Sequence, residues 1–322
     1  MRNKNWEKPV CNLCGKNDQT ILYKNLTYWE YPGIFQIVKC NNCSLIFVSP
    51  RPRISDINKY YEQENYFGRD INSERKDLNY KQERKNVYEN VYKLILNKKT
   101  SGKILDIGAG TGLFLTKFKD LNWKIDGVEL SRDAVLYARK QYDIKLKQGD
   151  FFDFSFSRNS YDVIALNGAL EHLYNPQETL KKAYSILKTG GIIVFTVPNV
   201  ESLGNKIFGR RWFPWQPPRH LYHFSPTTTR RMLNNSGFKK INIYHNYWLQ
   251  NYYILFQSLR YGYSPKFVLK KTGGLKNSTV TKNKFYFKKE FGKIAGKIFA
   301  FTLSLIEPMI KRGEVLIVYA KK

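Results

Sequence analysis

An α/β fold, a doubly wound sheet preceded by a small cysteine-bearing module, is what this 322-residue sequence predicts. Three observations carry the prediction. The stretch Lys103 to Gly112, KILDIGAGTG, places a short apolar run before three alternating glycines, and Leu113, Phe114, Leu115 and Phe118 follow at helical spacing. That order reads as strand, tight turn, helix. Further short apolar runs recur at Lys124 to Leu130, Ile144 to Leu146, Tyr161 to Leu166 and Ile192 to Val197, with helical patterns between them. Such alternation specifies a parallel sheet covered by helices. Finally, all four cysteines fall in two C-x-x-C pairs, Cys11/Cys14 and Cys40/Cys43.

The glycine turn is built for a ligand. A side chain at Gly108, Gly110 or Gly112 would hold the backbone away from a bound group. The helix start beyond it offers free N–H groups and a partial positive charge. Lys124 to Leu130 (KIDGVEL) reads as the second strand and brings Glu129 to its end. A carboxylate placed there accepts hydrogen bonds from both hydroxyls of a ribose, as acids about twenty positions past the glycines do in dinucleotide sites.

The NAD fingerprint is G-x-G-x-x-G. Here the spacing is G-x-G-x-G, with Asp106 two residues ahead of Gly108, which argues against a nicotinamide enzyme. This D-x-G-x-G-x-G run, with its acidic second-strand end, resembles the class I S-adenosylmethionine (SAM) methyltransferases. The resemblance implies a Rossmann-like, doubly wound, seven-stranded methyltransferase sheet with SAM as cofactor. It sets the glycine loop along the methionine part and Glu129 on the ribose. Among the residues after the third strand it puts Asp150 on the adenine amino group and Phe151, by backbone or face, on the base. The full implied cofactor set is Asp106, Gly108, Ala109, Gly110, Gly112, Glu129, Leu130, Asp150, Phe151 and Asn167.

Composition sets the outer bounds. A chain that is 42% hydrophobic and 16% aromatic folds, and 322 residues suffice for one large domain or two smaller ones. The polar start MRNKNWEKPV argues against a signal peptide, and no apolar run reaches the length of a spanning helix, so the expected location is cytoplasmic. The net charge of +28 attracts polyanions such as nucleic acid, anionic lipid headgroups or phosphorylated substrates, without choosing among them.

Residues 1 to 50 read as a zinc-ribbon module. Each C-x-x-C has the geometry of a zinc knuckle, and two knuckles supply four sulfur ligands to a closed tetrahedral site. Such a site has no open position, so the zinc held by Cys11, Cys14, Cys40 and Cys43 is expected to be structural. Strand-like runs lie between the pairs, at Thr20 to Tyr23 and Ile34 to Val38. Ser49 to Arg53 (SPRPR) reads as a linker. Residues 51 to 99 form a helical cover, with Ile57, Tyr60, Tyr61, Val87, Val91, Leu94 and Ile95 at helical intervals.

The methyltransferase domain is expected over 100–250 and 312–322. Ser131 is an N-cap for a helix to Gln141, Ile144 to Leu146 is the third strand and Tyr161 to Leu166 the fourth. Asn167 to His172 follow it, at the edge where open α/β sheets bind ligands. Pro176 opens a helix to Leu187 and KTGG precedes the fifth strand, Ile192 to Val197. Ser225-Pro226 starts a helix to Asn235, Phe238 to His245 is the sixth strand and Glu314 to Ala320 the seventh. Residues 251–311 form an insertion, with a lysine-rich stretch over 266–293 and an apolar helical run, Ile294 to Ile306. The lysine-rich stretch reads as a candidate for disorder. The apolar run fits packing on the domain or on a dimer partner, or contact with an anionic membrane surface.

Residues 198–224 combine Trp212, Trp215, clustered prolines, Arg210, Arg211, Arg219, His220 and His223. The run RHLYHFSP resembles one found after strand five in a methyltransferase subgroup linked to glycan assembly. His172, His220 and His223 are the candidate catalytic residues, because histidine suits proton abstraction from a hydroxyl. The expected activity is methyl transfer from SAM to a small-molecule or glycan (sugar) acceptor, with aromatic side chains of the loop available to stack on a sugar ring. Two alternatives stand beside it. RNA methylation is motivated by the charge and the ribbon, although strand four lacks an Asn-Pro-Pro-aromatic ending. A non-catalytic SAM- or nucleotide-binding protein would use the same glycines without turnover.

Overall fold

The computed structural model describes residues 6–28, 31–61, 88–245, 248–261 and 291–322. Its centre is a seven-stranded sheet. β6 (Lys103–Ile107), β7 (Lys124–Glu129), β8 (Lys147–Gln148), β9 (Tyr161–Asn167), β10 (Leu187–Pro198), β12 (Lys239–Tyr244) and β13 (Val315–Lys321) stand in the order β12-β13-β10-β9-β6-β7-β8. The pairings among β8, β7, β6, β9 and β10 are parallel, while β13 runs antiparallel between β10 and β12. Ile104, Leu105, Val163, Ile164, Ala165 and Leu166 are all buried, so β6 and β9 are covered on both faces. Continuous apolar runs, not alternating ones, are what such central strands require. The expected α/β, Rossmann-like seven-stranded methyltransferase sheet is therefore the fold.

Three helices follow the strands closely. α3 (Leu113–Asp120) begins at the glycine turn, and α4 (Arg132–Tyr142) is capped by the Ser131 hydroxyl, which accepts the Ala134 N–H. α5 (Pro176–Ile186) starts with proline at its first turn, where a missing N–H costs nothing. Ahead of them, α1 spans Ile54–Tyr61 and α2 covers residues 88–96. Tyr92 of α2 stacks on Phe114 with ring centroids 5.0 Å apart, so this helix seals α3. Val87 and the rest of the expected helical cover over residues 62–87 lie outside the described residues.

The amino-terminal module has two long strands, β2 (Gln19–Tyr28) and β3 (Tyr31–Cys40), and the short β4 (Ile46–Val48). Its fourth strand is β11 (Tyr222–His223), which comes from beyond five strands of the large sheet and pairs antiparallel with β4. The expected linker Ser49 to Arg53 is instead part of this structure: β5 (Arg51–Pro52) pairs with β1 (Trp6–Glu7). Arg51 is buried, gives Glu7 an ion pair at 2.7 Å and donates to the Tyr222 hydroxyl at 2.9 Å. A cation so placed fixes the chain where proline and arginine alone suggested a spacer.

Two sheet expectations are corrected. Ile144 to Leu146 is not the third strand, which is β8. Asp143 closes α4 in the left-handed region (φ 51°), and the chain then buries Ile144 and Leu146 against Gly112 and Gly127 before it reaches the sheet edge. The fifth strand starts earlier than Ile192: KTGG is an irregularity inside β10, where the register with β9 shifts between Leu187 and Ile192. α6 (Leu203–Phe208) and α7 (Pro226–Asn235) precede the sixth strand, and past it α8 (Trp248–Tyr261) and α9 (Phe291–Met309) pack on one another. The lysine-rich stretch up to residue 290 lies outside the described residues. Among the described residues no helix is long and apolar enough to cross a membrane.

Candidate active site

The carboxyl ends of β6, β7 and β9 form one edge, and the predicted cofactor residues collect there. Gly108, Gly110 and Gly112 take φ values of 75°, 55° and 78°, the left-handed region in which a Cβ is penalised. At Gly108 the requirement is doubled, because a Cβ would come 2.8 Å from the Ala169 Cβ. Gly108→Ala is therefore expected to lower stability by about 1–3 kcal/mol, read as a shift of the urea unfolding midpoint at unchanged slope.

Glu129 is buried at the end of β7. One carboxylate oxygen accepts the Gly110 N–H and the other the Ser131 N–H, both at 2.8 Å. Burial raises its pKa, and the backbone donors from Ser131 and Gly110 oppose that rise. The acid thus ties the glycine turn to the start of α4. Asp106 lies deeper; burial, and then the Glu129 charge, push its carboxyl well above the usual range. Its Oδ1 has no hydrogen-bond partner among the described residues. The same holds for both polar side-chain atoms of Asn167, at the end of β9. Buried polar atoms are ordinarily paired, so unpaired ones at a strand edge point to a group that binds there.

Leu130 is exposed beside Glu129, and Ala109 is buried in the turn. Asp150 caps a short 3₁₀ turn, its carboxylate accepting the Phe152 N–H at 2.8 Å. The Phe151 ring is packed in the core, and Lys182 sits 4.4 Å from its centroid. The ring face considered from sequence is thus enclosed by the core and Lys182.

A second group lies just beyond. Ligand atoms of Glu171, His172 and His220 lie within 4.8 Å of one another, and the two imidazole rings meet edge-on at 4.7 Å. His172 follows β9 in a short 3₁₀ turn; His220 arrives on the loop that precedes β11. Nδ1 of His172 is 3.0 Å from the Arg219 carbonyl and Nδ1 of His220 is 2.6 Å from the Pro214 carbonyl. A carbonyl only accepts, so each Nδ1 carries the proton and each Nε2 keeps its lone pair. Burial, with the Arg219 charge, holds His220 down to about 3; burial, His220 and Arg219 lower His172 as well. Burial pushes the Glu171 carboxyl up to about 8.

His223 is buried against the Trp215 ring at 4.6 Å, and neither of its nitrogens has a partner among the described residues. Trp212 and Trp215 do not present faces to a ligand. Both are buried; Trp212 donates to Glu314 at 2.5 Å and Trp215 to the Gly209 carbonyl at 2.9 Å. Indoles whose N–H groups must be satisfied inside the loop serve packing. The sequence placed Glu171 at this edge within the Asn167–His172 run but gave it no role of its own.

The four cysteines converge as their spacing predicted. Cys11 and Cys43 have Sγ atoms 3.3 Å apart, Cys14 and Cys40 3.5 Å, and all four lie within 4.8 Å of one another without a disulfide. Four sulfurs so clustered match the donor set of a closed tetrahedral zinc site.

Comparisons agree with this geometry. A family model described as "Methyltransferase domain" matches residues 79–243. An uncharacterized protein of Methanocaldococcus jannaschii is 28% identical over 155 residues, 48% of this chain and 73% of that one. An uncharacterized methyltransferase of Bacillus cereus is 30% identical over 112 residues, 34% of this chain, which thereby spans about half (52%) of that relative's length. Among solved structures, Haemonchus contortus phosphoethanolamine N-methyltransferase 2 in complex with SAM shares the fold, with a TM-score of 0.50 and 17% identity over 86% of this chain and 62% of that one. Since the family model spans just over half of the sequence and covers the glycine turn, Glu129 and the Asn167–His172 edge, the chain belongs to the methyltransferase domain family.

Proposed function

We propose that the chain transfers the methyl group of SAM to a hydroxyl of a small-molecule acceptor, a glycan or sugar in particular. The observation that carries this reading is the meeting, at one sheet edge, of the Glu129-tied glycine turn with two imidazoles whose Nε2 lone pairs are fixed. Asp106, Gly108, Ala109, Gly110, Gly112, Glu129, Leu130, Asp150, Asn167 and the backbone of Phe151 would hold the cofactor. When bound, SAM supplies an already activated methyl group on its sulfonium. What remains for the protein is alignment of the acceptor and exclusion of water. His172 or His220 takes the acceptor proton on Nε2, and its Nδ1–H stays on a backbone carbonyl throughout. The buried loop around His220 and His223 suits a small acceptor that can be enclosed. The RHLYHFSP resemblance supports the glycan class. A ubiquinone biosynthesis O-methyltransferase of Glaesserella parasuis, 25% identical over 182 residues, supports an oxygen acceptor.

Zinc, in this reading, is held by Cys11, Cys14, Cys40 and Cys43 and is structural. The domain division proposed is a zinc-ribbon module over 1–50, a helical cover over 51–99, the catalytic sheet over 100–250 and 312–322, and an insertion over 251–311.

The test is calorimetric titration with SAM and with S-adenosylhomocysteine. Micromolar binding is expected for both. Glu129→Ala should weaken it about 10- to 100-fold, the worth of one or two charge-assisted hydrogen bonds. Absence of binding by the unaltered protein would remove the cofactor assignment and leave the fold as a partner-binding scaffold.

A further inference from the structure

The outer face of α9 is inverted relative to a helix at a protein surface. Ile298, Phe299, Phe301, Leu305, Ile306 and Met309 are exposed, Ile298 by 61% and Met309 by 83%. The side turned to the body holds Ala300, Ser304 and Glu307, all buried. Glu307 accepts the Gly204 N–H at 3.1 Å, so this acidic side chain is committed inward, and Thr302 is the exposed polar residue among the apolar ones. A solvent-facing helix carries its apolar stripe toward the core and its charges outward. Here the large apolar side chains recur at helical spacing on the side facing away, with Lys297 exposed within the helix and Lys311 just beyond it. Contiguous exposed apolar surface of this kind marks an interaction site.

Charge selects the occupant. The chain carries +28, and the sequence between α8 and α9, residues 262 to 290, has eight lysines against one glutamate. Two such chains repel one another, which opposes burial of this face in a second copy. An anionic lipid surface meets both properties, an apolar layer for the side chains and negative headgroups for the lysines. We propose that α9 lies in the plane of an anionic membrane interface, its Ile298–Met309 face inserted among the acyl chains. The helix is supported by α8, whose Ser258 hydroxyl accepts the Phe213 N–H at 3.0 Å, in the segment that also carries His220 and His223. Docking would thus hold that segment, to which the proposed function gives the acceptor, close to the lipid surface.

Cosedimentation of the full chain with vesicles of phosphatidylcholine alone, and of phosphatidylcholine mixed with phosphatidylglycerol, tests this. The chain is expected to pellet with the mixed vesicles and only weakly with the neutral ones. The double variant Phe301→Glu, Leu305→Glu should lose at least about tenfold in partitioning, with circular dichroism spectrum and melting kept, since both positions are already exposed. No pelleting with either vesicle, or equal pelleting of the double variant, would overturn the proposal. So would a dimer by sedimentation equilibrium that the double variant dissociates while the unaltered chain ignores vesicles. None of these readouts depends on SAM or on methyl transfer.

Discussion

Turnover in the double variant His172→Gln, His220→Gln is expected to fall by about 10²- to 10⁴-fold, the usual contribution of a positioned general base. SAM affinity should fall far less, because the proposed cofactor residues sit at the ends of β6, β7 and β9 and on the β8–β9 connection, ahead of the turn that carries His172. Glutamine keeps a polar side chain of similar reach but cannot accept a proton at neutral pH. The single variants decide which imidazole acts. If one reproduces the double loss and the other costs little, the first is the base and the second only positions it. The pH profile gives an independent readout. Burial lowers both histidines, His220 to about 3, so the basic form persists well into acid solution. The acid limb of kcat/KM is therefore expected below the ordinary histidine value near 6.5, not at it. Full activity in the double variant, or an acid limb at that ordinary value in the unaltered protein, would end the assignment.

The second large effect concerns a site remote from the chemistry. Cys40→Ser, or removal of zinc by a strong chelator, is expected to cut turnover about a hundredfold or more while SAM binding falls far less. The reasoning begins with magnitudes. Structural zinc contributes about 10–16 kcal/mol in small peptides, comparable with the whole stability of a domain. Cys11, Cys40 and Cys43 are packed in the same apolar cluster as Phe47, Tyr222 and Phe224. Without a metal on the four sulfurs, β3 and β4 would lose an anchor, and β4 is the strand that pairs with β11. Tyr222 and His223 belong to β11, and His220 lies two residues before it. Arg51 would also lose its geometry against Tyr222 and against the Tyr174 ring, which it overlies at 4.5 Å. The glycine turn is held in addition by Glu129, which accepts the Gly110 and Ser131 N–H groups, so it is expected to lose less. The discriminating measurement compares metal content, SAM titration and turnover in one preparation. One zinc per chain with loss of turnover on removal is the expected outcome. Unchanged turnover in a zinc-free protein would make the module an appendage.

The sheet was legible from local pattern because its central strands are apolar on both faces. KILDI and YDVIAL are short, continuous and followed by turn chemistry, and no tertiary information is needed to read them. Glycine at positions of positive φ and an acid at the end of the second strand are likewise local requirements of a ligand-binding turn, so Gly108, Gly110, Gly112 and Glu129 stood out in sequence. The cysteine cluster did too, since knuckle spacing is a property of a few consecutive residues. The third strand was misplaced because its neighbourhood was decided by burial. Ile144 and Leu146 fill space against Gly112 and Gly127, and the backbone pairs only from Lys147 on. The aromatic loop shows the same limit. Trp212 and Trp215 suggested a sugar platform, yet their N–H groups had to find acceptors, and Glu314 and Gly209 supply them in the interior.

What the sequence alone determined, then, is the fold, the glycine turn with Glu129 at the next strand's end, and the four-sulfur cluster, each encoded by residues within a single turn or strand. What only the tertiary structure decided is which distant residues meet. Arg51 reaches Tyr222 across 171 positions, β11 completes the module's sheet, and Glu171, His172 and His220 converge. Those contacts depend on packing and on the satisfaction of buried polar groups over long separations, and no local periodicity records either.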